Sequence, residues 1–421
     1  MDRFQRAVDR ALDELAVDRA APVLVACSGG PDSAALAHAA MALAAAGRLG
    51  PVTLCHVDHQ LRPDSAADGR LVAGLAASGG AEAVVVKVDV ARDQGSLEAA
   101  ARAARYRALA EVAAARGAGA ILVGHTSRDQ VETVVMRLLR GTGVAGLAGI
   151  PARRGLVARP LLARRREEIE DYCRSHAIPV ADDPSNRDLR HFRNRVRLEI
   201  LPALRRANPS IDAALLRAAA AAGEARAVLD FAAGLLAEKA RVDAGCWRAD
   251  LLARAPRAVL AHLLAAEVGA VGGGPLGARH HEALARLVGS AGRGGSARVD
   301  LPGITAWREY DLLRLEPTGR EPEPGSPPPL EVSGPDAPYL VRPWQPGDRM
   351  QPARLRGRSR KLSDLFIDAR VPRRIRAAAR VVTRASDGRI EWAEHLGPAF
   401  GSSIAVVTLT PRESVATNKN R

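Results

Sequence analysis

The sequence predicts an α/β protein whose first part is an open parallel sheet, followed by a helical domain and a small α+β C-terminal domain. Two observations predict the sheet. Short apolar runs, each the length of a buried strand, alternate with helical patterns, and a polar cluster follows every run. The runs are 23–27, 52–57, 83–88 and 120–124, with helical patterns at 32–46, 66–78 and 97–116. Such alternation is typical of a sheet covered by helices on both faces.

The polar clusters after these runs place the expected binding site. They read SGGPDS, DHQLR, DVARDQGS and HTSRDQ. In open sheets of this kind ligands bind at the carboxyl ends of the strands. We therefore expect all four clusters to meet at one edge of the sheet.

The rest of the chain changes character twice. We expect a catalytic domain at 1–206, a helical middle domain at 207–315, a proline-rich linker at 316–329 and a basic C-terminal domain at 330–421. The linker, EPTGREPEPGSPPP, has almost no helix or strand potential. The start of the chain lacks the apolar centre of a secretory signal, so we expect a cytoplasmic protein.

The excess of basic residues and the spacing of the cysteines limit the classes of function that fit this sequence. The chain has 61 basic and 47 acidic residues, a net charge of +14. This excess indicates a polyanionic partner, although a genome whose base composition raises Arg and Ala together explains it equally well. The stretch 341–380 holds twelve basic residues against three acidic ones. The four cysteines form no CxxC pair, which argues against a zinc ribbon, an iron–sulfur site or a disulfide framework.

Residues 28–33, Ser-Gly-Gly-Pro-Asp-Ser, join the first strand to the first helix of the sheet. Glycines let the backbone approach an anion, and a helix N-terminus favours one. This loop matches neither GxxxxGK[ST] nor GxGxxG. Ser28 and Ser33 could donate to phosphate oxygens, whereas Asp32 suits a phosphate only if Mg²⁺ bridges the two. The alternative is a simple turn capped by Asp32 or Ser33.

This loop resembles the SGGxDS loop of the PP-loop ATPases, which split ATP into AMP and pyrophosphate to adenylate a substrate. The resemblance implies ATP-binding residues at Ser28, Gly29, Gly30, Pro31, Asp32 and Ser33, with Asp32 also holding Mg²⁺. It does not choose among superfamily members, which include GMP, NAD and argininosuccinate synthetases, tRNA thiolases and tRNA(Ile)-lysidine synthetases.

Two further segments resemble the nucleotide site of the lysidine synthetases. HVDHQLR, 56–62, is similar to their HVDHGLR, which implies that His56 and Asp58 lie near ATP; a metal site is the alternative. In ARAARY, Arg102 and Arg105 share a helix face. The family's ARxxRY helix points an arginine towards the ATP phosphates, and Arg105 is the candidate, unless the arginines are simply solvated.

The segment GHTSRDQVETVVMRLLRGTGVAGLAGI, 124–150, carries His125, Asp129 and Glu132 at spacings that predict one helix stripe. A polar face capped by Thr126 or Ser127 is the alternative. The segment is similar to the lysidine synthetase pattern GHTxxDQxETxxMRLLRGxGxxGLxG almost position for position. The resemblance implies that Asp32, His125 and Asp129 are catalytic. It also implies that Asp129 and Glu132 bind the lysine substrate, where a carboxylate could orient a cationic amine or take its proton.

Downstream segments continue the resemblance. Asp183, Ser185 and Asn186 stand at the family's DxSN element, and 193–197 at its RNxxR element. Arg193, Asn194 and Arg197 are the tRNA-binding candidates there, in what would otherwise read as a basic helix for phosphate contact. The stretch 342–376 resembles the last domain of the family, which grips tRNA. Its candidates are Arg358, Arg360 and Lys361, with a solvated basic face as the alternative.

The resemblance implies a tRNA(Ile)-lysidine synthetase. Such an enzyme uses ATP and Mg²⁺ to adenylate the wobble cytidine of a CAU-anticodon tRNA(Ile), and free L-lysine then displaces AMP. Three alternatives stay open from the residues: another PP-loop tRNA-modifying enzyme such as a thiolase, a small-molecule amide synthetase, and a non-catalytic tRNA-binding protein.

Overall fold

The computed structural model describes residues 1–58, 65–88, 97–181, 188–290, 296–319, 329–335 and 338–408. The chain divides into two compact units, Met1–Ala227 and Val228–Arg421. The domain boundaries expected at 206 and 315 stay predictions, as does the site at Asp183, Ser185 and Asn186, which lies outside the described residues. Among the described residues, no helix is long and apolar enough to cross a membrane.

A mainly parallel sheet lies at the centre of the first unit. Its strands are β1 (Val23–Ala26), β2 (Val52–Asp58), β3 (Glu82–Lys87), β4 (Ala120–Val123), β5 (Arg153–Arg154) and β6 (Val157–Ala158). They are ordered β3-β2-β1-β4-β6-β5, and β5 is antiparallel to its neighbour. The predicted open parallel sheet is confirmed. The chain runs from β1 outwards to β3 and then returns to β4, so β1 and β4 flank the switch point where such sheets bind ligands.

Helices cover both faces of this sheet because its buried strands alternate their side chains between two apolar clusters. Val25 and Leu54 face one cluster, which includes residues of the first three helices, and Leu24 and Ile121 face the other. The helical segments are α1 (Arg3–Glu14), α2 (Pro31–Ala45), α3 (Ser65–Ser78), α4 (Leu97–Ala115), α5 (Ser127–Arg140), α6 (Val144–Leu147), α7 (Arg166–Ser175), α8 (Phe192–Arg195), a π-helical turn (Val196–Ile200), α9 (Leu201–Ala207) and α10 (Ile211–Ala240).

The middle region is helical, as predicted, but it also contains an antiparallel sheet that the sequence analysis did not predict. Its elements are β7 (Arg241–Asp243), β8 (Cys246–Arg248), α11 (Ala249–Leu252), α12 (Arg257–Ala270), α13 (Ala278–Gly289), β9 (Ser296–Leu301), β10 (Ile304–Glu309) and β11 (Leu312–Pro317). The strand order is β7-β8-β11-β10-β9. Trp247, Leu263 and Leu313 lie in its core.

The C-terminal region forms the small mixed domain that the sequence predicted. Antiparallel strands in the order β13-β16-β17-β18 pack on a short helix through Phe366 and Val381. Its elements are β12 (Leu330–Ser333), β13 (Tyr339–Pro343), β14 (Arg349–Met350), a 3₁₀ turn (Ala353–Leu355), β15 (Arg360–Lys361), α14 (Leu362–Asp368), α15 (Arg373–Ala378), β16 (Arg380–Arg384), β17 (Ile390–Ala393), β18 (Gly397–Pro398) and β19 (Ala405–Thr408).

Candidate active site

The glycine loop after β1 is closed by one of its own serines. Gly29 has a φ of +86°, a conformation that favours glycine. Ser33 is buried, and its Oγ accepts from the Ser28 backbone N–H at 3.1 Å and donates to the Gly30 carbonyl at 3.0 Å. Pro31 then starts α2, where its fixed φ suits the first helical position. The exposed Ser28 hydroxyl is therefore better placed than that of Ser33 to meet a ligand.

Asp32, in the first turn of α2, has a buried oxygen without a partner. Its Oδ1 makes no hydrogen bond within the described residues. Burial and the nearby Asp129 raise the pKa of Asp32 to about 6, although Arg166, Arg197 and Arg128 act in the opposite direction. Because buried polar atoms normally have partners, this oxygen fits a bound cation.

The donor set around Asp32 is compatible with Mg²⁺ and not with a fully protein-ligated metal. No group of three His, Cys, Asp or Glu side chains converges on a metal position in the part of the chain that the structure describes. Mg²⁺ commonly takes one or two carboxylates and completes its shell with water and substrate phosphates. A single carboxylate beside a phosphate loop is therefore sufficient.

Glycine also lets the loop after β4 approach the start of α2. A Cβ on Gly124 would lie 2.9 Å from the Asp32 carbonyl oxygen and 3.0 Å from the Ser33 nitrogen. Any larger residue would push these backbones apart. The close approach brings the loop that carries His125 against the glycine loop.

The predicted single helix stripe of His125, Asp129 and Glu132 is wrong for His125. Helix α5 begins at Ser127, and Thr126 is its N-cap. The Thr126 N–H and hydroxyl donate to Asp129 Oδ2 at 2.8 and 3.1 Å. This Thr-x-x-Asp capping box starts the helix at Ser127, two residues after the histidine, and leaves His125 in the loop.

His125 is held by an arginine that the sequence analysis missed. Arg159, which directly follows β6 and is 5% exposed, donates from Nε to His125 Nδ1 at 3.1 Å and from Nη1 to the Pro151 carbonyl at 2.8 Å. Because arginine only donates, Nδ1 of the neutral ring accepts and Nε2 carries the proton. Burial lowers the pKa of His125 to about 4, with Arg159 adding to the effect and Asp129 opposing it. At neutral pH His125 is therefore a hydrogen-bond donor.

Glu132 is the centre of an ion-pair cluster. Its side chain is fully buried. Arg193 Nε and Arg197 Nε donate to its two oxygens at 2.8 and 2.6 Å, and Arg128 Nε lies 3.3 Å away. Arg193 also reaches Asp129 Oδ1 at 2.5 Å. The two carboxylates of this cluster thus find their cationic partners within the protein.

The cluster changes how three predicted tRNA-binding residues are interpreted. Arg193 and Arg197 are partly buried and ion-paired, so the 193–197 run is not the exposed basic face that its sequence suggests. Asn194 is buried and donates from Nδ2 to the Asp188 carbonyl at 2.9 Å. Their contact with tRNA, and lysine binding by Glu132, stay predictions with an internal structural role beside them.

The remaining nucleotide-site candidates lie on β2 and α4. His56 is buried near the end of β2, and its Nδ1 lies 3.0 Å from the Cys27 carbonyl. Because a carbonyl only accepts, Nδ1 carries the proton. Asp58, the last residue of β2, is buried, and Arg105 is exposed on α4. His59 lies outside the described residues.

Comparison with known proteins shows the family of the chain. A family model described as a PP-loop domain matches residues 1–204, and one described as a TilS substrate C-terminal domain matches 340–400. The tRNA(Ile)-lysidine synthase of Salinispora arenicola is 44% identical over 310 residues, 71% of this chain and 91% of the relative. That of Symbiobacterium thermophilum is 36% identical over 420 residues, 83% and 85% of the two chains.

The chain belongs to the tRNA(Ile)-lysidine synthase family. It is therefore a PP-loop ligase of tRNA processing that uses ATP. Among solved structures, a U34-tRNA thiolase from Methanococcus maripaludis matches 51% of this chain and 76% of its own at 18% identity, with a TM-score of 0.43.

In the segment 124–150, two side chains of α5, those of Gln130 and Arg137, bind backbone groups at the end of the same segment. The Gln130 side chain accepts from the Ile150 N–H at 2.6 Å and donates to the Ala148 carbonyl at 3.2 Å. Arg137 Nη1 donates to the Gly149 carbonyl at 2.7 Å. Gly149 has a φ of +70° and lies against Gln130. Gln130 and Arg137 were not among the functional residues predicted from the sequence.

The C-terminal tRNA-binding candidates differ among themselves. Arg358 and Lys361 are exposed and form no ion pair with the residues that the structure describes. Arg360 is half-buried, and its Nη1 lies 2.5 Å from Asp368 Oδ2. Two of the three predicted cations are thus available to an external anion.

Proposed function

We propose that this protein ligates free L-lysine to the wobble cytidine of a CAU-anticodon tRNA(Ile), with ATP converted to AMP and pyrophosphate. Membership of the lysidine synthase family supports the reaction class. The observation that carries the proposal is the buried carboxylate oxygen of Asp32 beside the glycine loop, which has no hydrogen-bond partner among the described residues. We also propose that 1–206 is the catalytic domain and that 207–315 and 330–421 bind the tRNA.

In the first step the carbonyl oxygen of the cytidine attacks the α-phosphorus of ATP, and the bond to pyrophosphate breaks. The N–H groups of Gly29 and Gly30 and of the N-terminus of α2 bind the phosphates, together with the Ser28 hydroxyl, because the Ser28 N–H already donates to Ser33 Oγ. His56, Asp58 and Arg105 are the further ATP-binding residues that we propose. Asp32 would hold Mg²⁺, which supplies positive charge where the pyrophosphate develops negative charge.

In the second step the ε-ammonium group of lysine gives up a proton, the neutral amine attacks the adenylated carbon, and AMP leaves with the oxygen. We assign Asp129 the role of orienting the cationic amine and accepting its proton. Its Oδ2 already accepts two hydrogen bonds and its Oδ1 one, so it contributes charge at a fixed position. His125 is assigned as a donor through Nε2–H, because Arg159 already occupies Nδ1.

Two observations count against the rival enzymes and binding proteins. The four cysteines are buried and form no disulfide within the described residues. Cys27, directly after β1, and Cys55, on the neighbouring β2, lie in apolar clusters on opposite faces of the sheet, so they are poorly placed for joint thiolase chemistry. A protein that only bound tRNA would not need Asp32, whose burial without a partner is unfavourable for the charged form.

The test measures transfer of radiolabelled lysine to tRNA. We expect incorporation that needs ATP and a CAU anticodon, and a loss of at least roughly 100-fold in Asp32→Asn, because that change removes charge stabilisation in the transition state. Asp171→Asn, on the exposed face of α7, is the matched control and should retain full activity. Absence of lysine incorporation would refute the function; equal rates for Asp32→Asn and wild type would refute only the mechanism.

A further inference from the structure

Guanidinium groups outnumber the carboxylates that pair with them at the start of α5. Arg128, Arg193 and Arg197 all approach Glu132, and Arg193 also reaches Asp129. Three cations therefore share two anions. Burial and the adjacent Arg197 lower the pKa of Arg128, which is the direction expected where positive charge is in excess.

In the part of the chain that the structure describes, Arg128 and Arg166 each use only one nitrogen for a carboxylate, so part of each guanidinium group stays available. Arg128 contacts Glu132 through Nε alone, at 3.3 Å, and its two terminal nitrogens have no hydrogen-bond partner among the described residues. Arg166, at the start of α7, likewise uses Nε for Glu170 at 2.6 Å. The side chains of Arg128 and Arg166 are 29% and 37% exposed. Both present unoccupied donors that a ligand from solvent can reach.

These arginines lie near the proposed chemistry. Arg166, Arg197 and Arg128 all act electrostatically on Asp32, and Gly124 brings the loop that precedes α5 against the backbone of Asp32. They come from α5, α7 and the π-helical turn, whereas the phosphate loop comes from the segment between β1 and α2. The arginines therefore form a group separate from the glycine loop but close to its carboxylate.

We infer that Arg128, Arg166 and Arg197 form a second anion subsite, which takes phosphate oxygens beside the glycine loop, and that Glu132 is its positioning residue. The guanidinium fork suits phosphate because it can donate two parallel hydrogen bonds. Glu132 fixes Arg197 through Nε and Nη2 and Arg193 through Nε, and so aims the remaining Nη1 of Arg197. The inference rests on the proposed function for its substrate: the oxygens belong either to the pyrophosphate part of ATP or to the tRNA backbone.

The first arm of the test measures binding of inorganic pyrophosphate to the full-length protein by titration calorimetry. Arg128→Ala removes one charged donor, so we expect roughly tenfold weaker binding if ATP supplies the oxygens. Arg128→Lys keeps the charge but loses the fork, and we expect an intermediate loss. Arg174→Ala, an exposed and ion-paired arginine on α7, is the matched control and should bind as wild type does.

The second arm measures tRNA binding over a series of salt concentrations. If the tRNA backbone supplies the oxygens, Arg128→Ala lowers the salt slope by about one, and pyrophosphate binding is unchanged. If Arg128→Ala and Arg166→Ala match wild type in both arms, the subsite is refuted and the arginines are only structural. A thermal melt of each variant excludes misfolding, and Arg128→Lys replaces the alanine variant if that one does not fold.

A separate variant tests whether Glu132 positions the arginines. Glu132→Gln keeps the shape but removes the charge that holds the arginines, so we expect it to weaken the same ligand as Arg128→Ala does. A change confined to the KM for lysine would instead make Glu132 a lysine ligand and overturn this role. Neither binding arm contains lysine or measures ligation, so the subsite can fail while the proposed function stands, and the reverse.

Discussion

Arginines of the first unit and those of the C-terminal domain look alike in the sequence, but their environments differ. Arg193 and Arg197 bind the buried Glu132, and Arg159 holds His125. Arg358 and Lys361 are exposed without an ion-pair partner among the described residues. The first group shapes a site, and the second offers charge to a polyanion. The count of 61 basic residues therefore overstates the cations available to tRNA.

The largest effect expected from this difference is on stability, at Glu132. Removing one member of a buried ion-pair cluster leaves uncompensated charge and costs about 3–5 kcal/mol. We expect Glu132→Ala to lower the free energy of unfolding of the first unit by roughly 3 kcal/mol, since its arginines are partly exposed. Chemical denaturation followed by hydrogen exchange in α5 measures this, because the chain has two units and one global transition is not assured.

The control for this prediction is Glu199→Ala, an exposed glutamate on the π-helical turn that carries Arg197. Exposed substitutions of this kind change stability by about 0.5 kcal/mol or less. Equal losses for Glu132→Ala and Glu199→Ala would mean that the cluster does not stabilise the first unit. The contrast between the two groups of arginines would then lose its energetic basis.

The cluster also shows where prediction from sequence ends. The bounds of the four strands and three helices predicted for the sheet agree with the structure to within one residue, because apolar periodicity fixes which face of an element is buried. The two-residue strands β5 and β6 were not predicted. Apolar periodicity does not identify which charged or polar side chains pair with one another. Glu132 and Arg193 are 61 residues apart, and Arg159 and His125 are 34 apart. Such pairs become visible only when the fold brings β4, β6 and α8 together.

Other differences have local causes. The capping box of Thr126 and Asp129 was readable, and weighing it above the spacing would have placed His125 outside the helix. The antiparallel sheet at 241–317 was harder to predict. Its β9 strand, Ser296–Leu301, carries charges at Arg298 and Asp300 and has a partly exposed alternation that is weak as a strand signal.

A second comparison concerns the pH dependence of two site residues. Asp32 has a folded pKa of about 6 against an ordinary 3.8, so the folded protein binds more protons and stability falls as pH rises between these values. His125 has a folded pKa of about 4 against 6.5, so the unfolded chain binds more protons and stability rises with pH over that range. The two contributions oppose each other, each at roughly 2–3 kcal/mol.

Single substitutions should separate the contributions of Asp32 and His125 to the pH dependence of stability. Relative to wild type, Asp32→Asn should gain roughly 2 kcal/mol at pH 7 and nothing at pH 4, because only the charged carboxylate is disfavoured. His125→Gln should show the opposite slope, with its relative stability greatest near pH 4. Melting midpoints at four or five pH values between 4 and 7 measure both. Parallel curves for the two variants would show that these groups do not titrate as their burial implies.

The smallest effects are expected in the C-terminal domain and fall on tRNA binding, not on stability. Arg358→Ala and Lys361→Ala should each lower the salt slope of tRNA binding by about one and change the free energy of unfolding by less than about 0.5 kcal/mol. Arg360→Ala is the matched comparison in the same stretch, because Asp368 already neutralises Arg360 at 2.5 Å. If exposure without a partner is what makes a cation available, Arg360→Ala has the smaller slope change. The slope change for Arg360→Ala could instead equal that for Arg358→Ala. An ion pair on this surface would then not prevent an arginine from binding tRNA. The distinction between the two groups of arginines would hold only for buried pairs such as Arg197 with Glu132.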